Sequence, residues 1–236
     1  MPGDSVTWLN GVLTINGKII DEYYFDELTK VDLKEKWTTS TGFDGKFQYK
    51  ENGEIKTTYI IPEGYEYIAE GAFSGVSSLT KLTISNDVKV IGKRAFENCK
   101  NLTDVVLPNK EIEILSYAFN NCSSLENINL ENLKTFNEYV LSNTAIKELN
   151  INATSIKEGA FANMKELTAL NVSANEIASY AFRNNTKLVN AIVNAKTIGE
   201  YAFENCTSLN NLTLENTIDI LEGAFKNCTG LVNVVS

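Results

Sequence analysis

The sequence predicts an α/β solenoid, a right-handed superhelix of about eight repeats of 20–23 residues behind an N-terminal β-rich cap. Three observations predict it. Phenylalanines recur at Phe73, Phe96, Phe119, Phe161, Phe182, Phe203 and Phe225, with Leu141 in the one remaining place, so successive positions differ by 23, 23, 22, 20, 21, 21 and 22. A large apolar residue stands five places before each of them (Ile68, Ile91, Ile114, Phe136, Ile156, Ile177, Ile198, Ile220) and a small one just before (Ala72, Ala95, Ala118, Val140, Ala160, Ala181, Ala202, Ala224). A strand signal L-x-x-L-x-L follows, as in Leu79/Leu82/Ile84, Leu102/Val105/Leu107, Leu125/Ile128/Leu130 and Leu209/Leu212/Leu214.

The chain divides into residues 1–56 and 57–236. In the first part, Val6-Thr7-Trp8 and Leu13-Thr14-Ile15 read as short strands set off by Asn10-Gly11 and Asn16-Gly17. Asp21 to Trp37 carries apolar residues at Tyr24, Phe25, Leu28, Val31 and Leu33, which predicts an amphipathic helix. Phe47-Gln48-Tyr49 and the run from Ile55 flank Glu51-Asn52-Gly53, another hairpin signal, and Tyr59-Ile60-Ile61-Pro62 fits the strand end of a repeat. The expected role of residues 1–56 is a cap, because the first turn of a solenoid otherwise opens its core to water. A small separate binding module is the other reading.

Within each repeat the large apolar residues must point inward to make one stacked core, and the small residue lets turns approach closely. Two residues after the phenylalanine position stand Asn98, Asn121, Asn143, Asn163, Asn184, Asn205 and Asn227, with Gly75 in the first repeat. Asn and Gly share a tolerance of positive φ, so this slot is expected to end a short helical turn in the left-handed region. The fourth repeat departs from the pattern. Phe136-Asn137-Glu138-Tyr139-Val140-Leu141 replaces the usual residues in the shortest turn, and a local change of curvature is expected there. The last repeat stops in mid-strand at Val234-Val235-Ser236, an apolar edge that is expected to be covered by further chain or by a partner.

Composition narrows function. The 236 residues carry a net charge of -9 and no histidine, with 43% apolar residues. Acidic balance disfavours nucleic acid and anionic membrane surfaces. Without histidine, Ser-His-Asp and Cys-His catalysis are excluded within this chain, and the commonest metal ligand is missing. No apolar run approaches a membrane span. No enzyme activity, cofactor or metal is expected.

Ile91-Gly92-Lys93-Arg94-Ala95-Phe96-Glu97-Asn98-Cys99 through Leu107-Pro108 resembles the repeat unit of the BspA-like leucine-rich repeat family, and the resemblance runs over residues 57–236. It implies an exported, bacterial, cell-surface or extracellular protein whose export signal has been removed. It also implies adhesion to a host matrix protein, a cell-surface protein or a glycan. An intracellular or surface scaffold, and the non-catalytic arm of a larger surface enzyme, remain open alternatives.

The concave strand face is the candidate binding surface, because strand residues alternate and the position between the last two inward residues faces solvent. That ladder is Thr83, Val106, Asn129, Asn150, Asn171, Ile192 and Thr213, and two residues earlier runs Lys81, Asp104, Asn127, Glu148, Ala169, Asn190 and Asn211. The ladder has no aromatic platform. Cys99, Cys122, Cys206 and Cys228 share one slot with Val76, Thr144, Met164 and Asn185, and are expected to be buried, unbridged thiols. Eight Asn-x-Ser/Thr sequons occur, four of them on the helix-ending asparagines. Tyr117, Tyr139, Tyr180 and Tyr201, two before the phenylalanine position, are expected to pack against adjacent turns.

Overall fold

A computed structural model describes residues 57–236 in full and, of residues 1–56, only the backbone of seven short strands. Eight turns stack on one another, one for each phenylalanine position. The strands that follow these positions, with one more ahead of the first, form the face expected to be concave: β1 (Thr58–Ile60), β2 (Lys81–Thr83), β3 (Asp104–Val106), β4 (Asn127–Ile128), β5 (Glu148–Asn152), β6 (Ala169–Ile177), β7 (Asn190–Ile198), β8 (Asn211–Glu215) and β9 (Asn233–Val235). All neighbours that pair do so in parallel. A second parallel sheet runs through Tyr67–Ile68, Val90–Ile91 and Glu113–Ile114, and resumes with Thr135–Phe136, Ser155–Ile156, the far ends of β6 and β7, and Asp219–Ile220. In β6 and β7 a single strand passes through both sheets.

Val6–Leu9, Val12–Ile15 and Lys18–Asp21 make an antiparallel sheet, and Phe47–Glu51 pairs with Trp37–Thr39 and Glu54–Ile55. The helix expected over Asp21 to Trp37 lies mostly outside the described residues. Its described residues lie in strands instead: Asp21 and Trp37 at the ends of the two just named, and Glu27–Leu28 in one paired in parallel with Tyr67–Ile68.

The core is a column of rings. Phe73, Phe96 and Phe119 stack at centroid distances of 4.8 and 5.1 Å, and Phe161, Phe182, Phe203 and Phe225 at 5.2, 5.1 and 5.2 Å. These distances match the spacing between neighbouring strands, so one repeat length satisfies ring stacking and strand pairing together. The column breaks at Leu141. There Phe136, buried and tilted against Phe161 at 4.9 Å, supplies the aromatic volume from another position in the turn.

The half of each repeat expected to be helical is a tight turn, and no helix occurs among the described residues. The reason is that its N–H groups point along the stack. In turn 1, Gly71 N, Phe73 N and Gly75 N donate to Lys93 O, Ala95 O and Glu97 O of turn 2 at 2.9, 2.7 and 2.8 Å. The same triplet repeats through Tyr201, Phe203 and Asn205, which donate to Glu222, Ala224 and Lys226. Donors spent this way cannot bond four residues back within a helix.

Turning the peptide units requires two left-handed residues per turn. The asparagine slot is one of them, as the sequence predicts: Asn98, Asn121, Asn143, Asn163, Asn184, Asn205 and Asn227 have φ of 58–62°, and Gly75 has 75°. The second lies two residues before the phenylalanine position, where Gly71, Arg94, Tyr117, Tyr139, Gly159, Tyr180, Tyr201 and Gly223 have φ of 51–64°. A tyrosine in this region is strained by about 1–2 kcal/mol. The rings offset it by lying over the next turn. Tyr117 stacks on Tyr139 at 5.2 Å and Tyr180 on Tyr201 at 5.6 Å, and each run ends where a glycine leaves room for the last ring.

Candidate functional site: the concave face and its seam

The ladder residues occupy the concave strands as follows. Thr83 pairs in register with Val106, and Asn150, Asn171, Ile192 and Thr213 form one continuous row. The row extends further than the repeat pattern alone placed it. Ile60 lies beside Thr83 and Val235 beside Thr213, so the exposed apolar spots are Ile60 (64%), Val106 (53%), Ile192 (43%) and Val235 (61%). Both missed residues carry the repeat signal, Ile60 just before Ile61 and Val235 in the last strand.

Asparagines on this face divide into two kinds. In the column two residues earlier they bond one another: Asn127 donates to Asp104 at 2.8 Å, Asn211 to Asn190 at 2.7 Å and Asn233 to Asn211 at 2.7 Å. The hydrogen bonds from Thr103 and Asn127 hold the Asp104 carboxyl below the usual carboxylate range. Asn129 is likewise occupied. Its Oδ1 accepts from Leu107 N at 2.7 Å and its Nδ2 donates to Leu107 O at 3.2 Å. In the preceding turns that acceptor is a main-chain carbonyl, Thr83 O for Ile61 N and Val106 O for Ile84 N. Asn150 and Asn171 differ. Both are exposed, they are strand partners, and neither side chain has a hydrogen bond within the protein among the described residues.

The expected continuous face is split. No Cα of β4 lies within 8 Å of a Cα of β5, whereas other neighbouring strands are paired. In the rest of the array the ladder residue and the one two before it turn their N–H and C=O toward the preceding strand, as Lys81 N to Thr57 O (3.1 Å) and Thr83 O from Ile61 N (2.8 Å) show. In β5 these residues are Asn150 and Glu148, and no main-chain hydrogen bond joins residues 127–130 to 147–152. The last bond before the gap is Ala145 N to Leu125 O at 2.9 Å.

The second sheet loses its strand pairing at the same junction, between Glu113–Ile114 and Thr135–Phe136, although these strands still lie within 8 Å of each other. Elsewhere a main-chain N–H reaches across, as Leu115 N to Ile91 O and Lys157 N to Phe136 O; here the Asn137 side chain donates to Ile114 O at 2.8 Å instead. The seam stays closed on the phenylalanine-turn side, where Tyr117, Phe119 and Asn121 donate to Glu138, Val140 and Ser142, and Ser116 bonds the Glu138 carboxylate. It falls at the fourth repeat, whose irregularity the sequence displays.

On the concave side the seam is a cleft of about 500 Å³. Ile128, Leu130, Ile146 and Leu149 make its apolar part, with Glu126, Asn127, Asn129, Glu131, Glu148 and Asn150 around them. Lys147 pairs with Glu126 at 3.3 Å, while Glu131 and Glu148 have no ion pair among the described residues. A second hollow of about 630 Å³ lies where β6 and β7 pass between the sheets, lined by Asn152, Ser173, Asn175, Asn194, Lys196 and Asn216 among others.

The four thiols lie inside the stack, each donating to the phenylalanine carbonyl of the preceding turn: Cys99 to Phe73 O (3.1 Å), Cys122 to Phe96 O (3.1 Å), Cys206 to Phe182 O (3.3 Å) and Cys228 to Phe203 O (3.1 Å). All are unbridged; three are buried and Cys228 is half-buried. Asn185, buried in the same slot, makes the equivalent bond to Phe161 O. The shared slot is thus a structural one. Among the described residues no helix is long and apolar enough to cross a membrane.

A stack of parallel turns with one exposed strand face defines a repeat solenoid. The BspA type leucine rich repeat model matches residues 45–168 and 149–236, in six copies, and the chain belongs to that family. No curated protein matches it. Among solved structures, a leucine-rich repeat protein from Bacteroides ovatus ATCC 8483 is 26% identical with a TM-score of 0.67, over 75% of this chain and 48% of that one. The chain therefore spans about half the length of that relative. The T. pallidum leucine-rich repeat protein is 22% identical with a TM-score of 0.55, over 84% and 89% of the two chains, and shares the fold.

Proposed function

We propose that this chain is a non-catalytic recognition protein, exported and held at or beyond the cell surface, whose concave face binds a protein or glycan. The ladder Thr83, Val106, Asn150, Asn171, Ile192 and Thr213 is its contact row, and Asn129 positions the row through Leu107. One observation carries the reading: Asn150 and Asn171 are adjacent, exposed and without internal hydrogen bonds, while the other concave asparagines named above are committed to neighbours. An uncommitted amide pair beside the exposed Ile192 offers polar and apolar contacts together, the mix that recognition surfaces use. The family resemblance supports export and adhesion. Residues 1–56 serve as the cap, a role supported by the parallel pairing of Glu27–Leu28 on the first turn.

The test is binding of the full chain to a panel of extracellular-matrix proteins, mucins and glycans, beside Asn150→Lys/Asn171→Lys and a Thr186→Lys control. Saturable binding lost only in the double variant supports the reading. Equal binding in all three moves the site off the ladder. No binding anywhere favours a scaffold, or the non-catalytic arm of a larger surface enzyme.

A further inference from the structure

We infer that the seam between β4 and β5 is a slot for one extended peptide strand bearing lysine or arginine. The inference rests on the concave face being the binding face. Neighbouring strands lie ~4.8 Å apart, so a strand inserted between two others needs a gap of ~9.6 Å. The Cα separation across the seam is already more than 8 Å along β4 and β5. Both walls carry main-chain groups without a partner among the described residues: those of Glu148 and Asn150 on β5, and on the β4 side those of Ile128 and the N–H of Leu130, whose carbonyl accepts from Leu133 N at 3.1 Å. Glu148 and Asn150 are exposed and Ile128 and Leu130 half-buried, so these groups are open to an incoming partner. A peptide strand supplies donors and acceptors at the matching spacing, the chemistry of β-augmentation.

Charge and shape select the occupant further. The mouth holds three carboxylates, Glu126, Glu131 and Glu148, against the single Lys147 that Glu126 already pairs. A basic side chain on the incoming strand meets Glu131 and Glu148, which have no cation of their own among the described residues. Alternate residues of the same strand face the apolar part made by Ile128, Leu130 and Leu149. Among the described residues no aromatic ring lines the slot, so a sugar finds no stacking platform there. Because walls stand on both sides, the seam admits one strand and not a growing sheet, unlike an open edge.

The test uses the full chain and a labelled, capped peptide of alternating lysine and valine about six residues long. Two further peptides accompany it, one N-methylated at alternate residues and one of alternating glutamate and valine. Fluorescence anisotropy should show saturable binding of the lysine peptide and none of the glutamate peptide. N-methylation, which leaves the protein untouched, should weaken binding about tenfold or more, the equivalent of one to two main-chain hydrogen bonds. Glu131→Lys/Glu148→Lys should weaken it by a similar factor. Equal binding of lysine and glutamate peptides, indifference to N-methylation, or no saturable binding overturns the inference. So does a concentration-dependent dimer abolished by Glu148→Lys, which would make a second copy the occupant. If the peptide fails while Asn150→Lys/Asn171→Lys still abolishes panel binding, the slot is wrong and the ladder stands. If the peptide binds while panel binding is indifferent to that double variant, the slot stands and the ladder is wrong.

Discussion

Gly159 and Gly71 occupy the same slot in different turns, with φ of +59° and +63°, and replacing each by alanine separates two costs. A Cβ at Gly71 finds its nearest atom, Ser74 Cβ, at 4.0 Å, so only the left-handed backbone opposes it. That term is about 1–2 kcal/mol. At Gly159 the same Cβ falls 2.3 Å from Tyr139 Cε1 and 2.6 Å from two more ring atoms. The ring has little freedom to yield, since Tyr117 stacks on its other face at 5.2 Å and its hydroxyl donates to Glu158 at 3.0 Å. Overpacking of this kind adds about 1–3 kcal/mol. Gly159→Ala should therefore cost about 2–5 kcal/mol and Gly71→Ala about 1–2 kcal/mol. Urea unfolding followed by circular dichroism reads both as shifts in midpoint at constant slope. Tyr139→Asn keeps a residue that tolerates the left-handed region and removes the ring, so in that background Gly159→Ala should fall to the Gly71 value. Equal costs at the two glycines, or no relief in the Tyr139→Asn background, would refute the stacking account.

Three further outcomes follow from the same geometry. Asn184 accepts from Asn205 at 2.7 Å and donates to Asn163 at 2.9 Å with φ of 61°, so Asn184→Ala should destabilise by about 1–2 kcal/mol more than Asn184→Gly, which loses the same bonds without backbone strain. Ellman's reagent should label Cys228 first on the native chain, because it is half-buried and its contact with Cys206 lowers its pKa and raises that of Cys206; equal rates at several thiols would contradict this. Burial and the bond to Glu158 push the Tyr139 phenol from 10.0 up to about 12. Its contribution to stability is thus complete below pH 10 and lost as pH rises toward 12, an effect that Tyr139→Phe should abolish in denaturation at high pH.

Much of this architecture was legible because every turn makes the same demands. Stacked rings and paired strands share one spacing, so the period of Phe73 to Phe225 encodes both, and the asparagine slot announces its left-handed backbone through its residue type. The turn that replaced the expected helix was harder to read. Tyrosine and arginine carry no local sign of positive φ; the clue was positional, since Gly71, Gly159 and Gly223 share their column. The irregular fourth repeat marked where the array would deviate. That strand pairing lapses in both sheets there, with the Asn137 side chain bonding Ile114 O in place of a main-chain N–H, is a relation between turns that no single repeat displays. On the concave face the alternation rule located the ladder, but could not distinguish Asn129, bound to Leu107, from the uncommitted Asn150.

Stacked repeats fold as a chain of nearest-neighbour couplings, each turn stabilised by the one on either side. At the fourth turn two of those couplings, phenylalanine stacking and strand pairing, are missing together, while the turn-side ladder, the Tyr117–Tyr139 stack and core contacts remain. The array should therefore behave as two cooperative blocks, three turns and five, joined away from the concave strands. Amide exchange in the first block should then respond to fraying that the second does not share. A strand lodged in the seam would act as mortar: it would bond to both blocks, restore the missing coupling and make recognition register as rigidity along the whole solenoid.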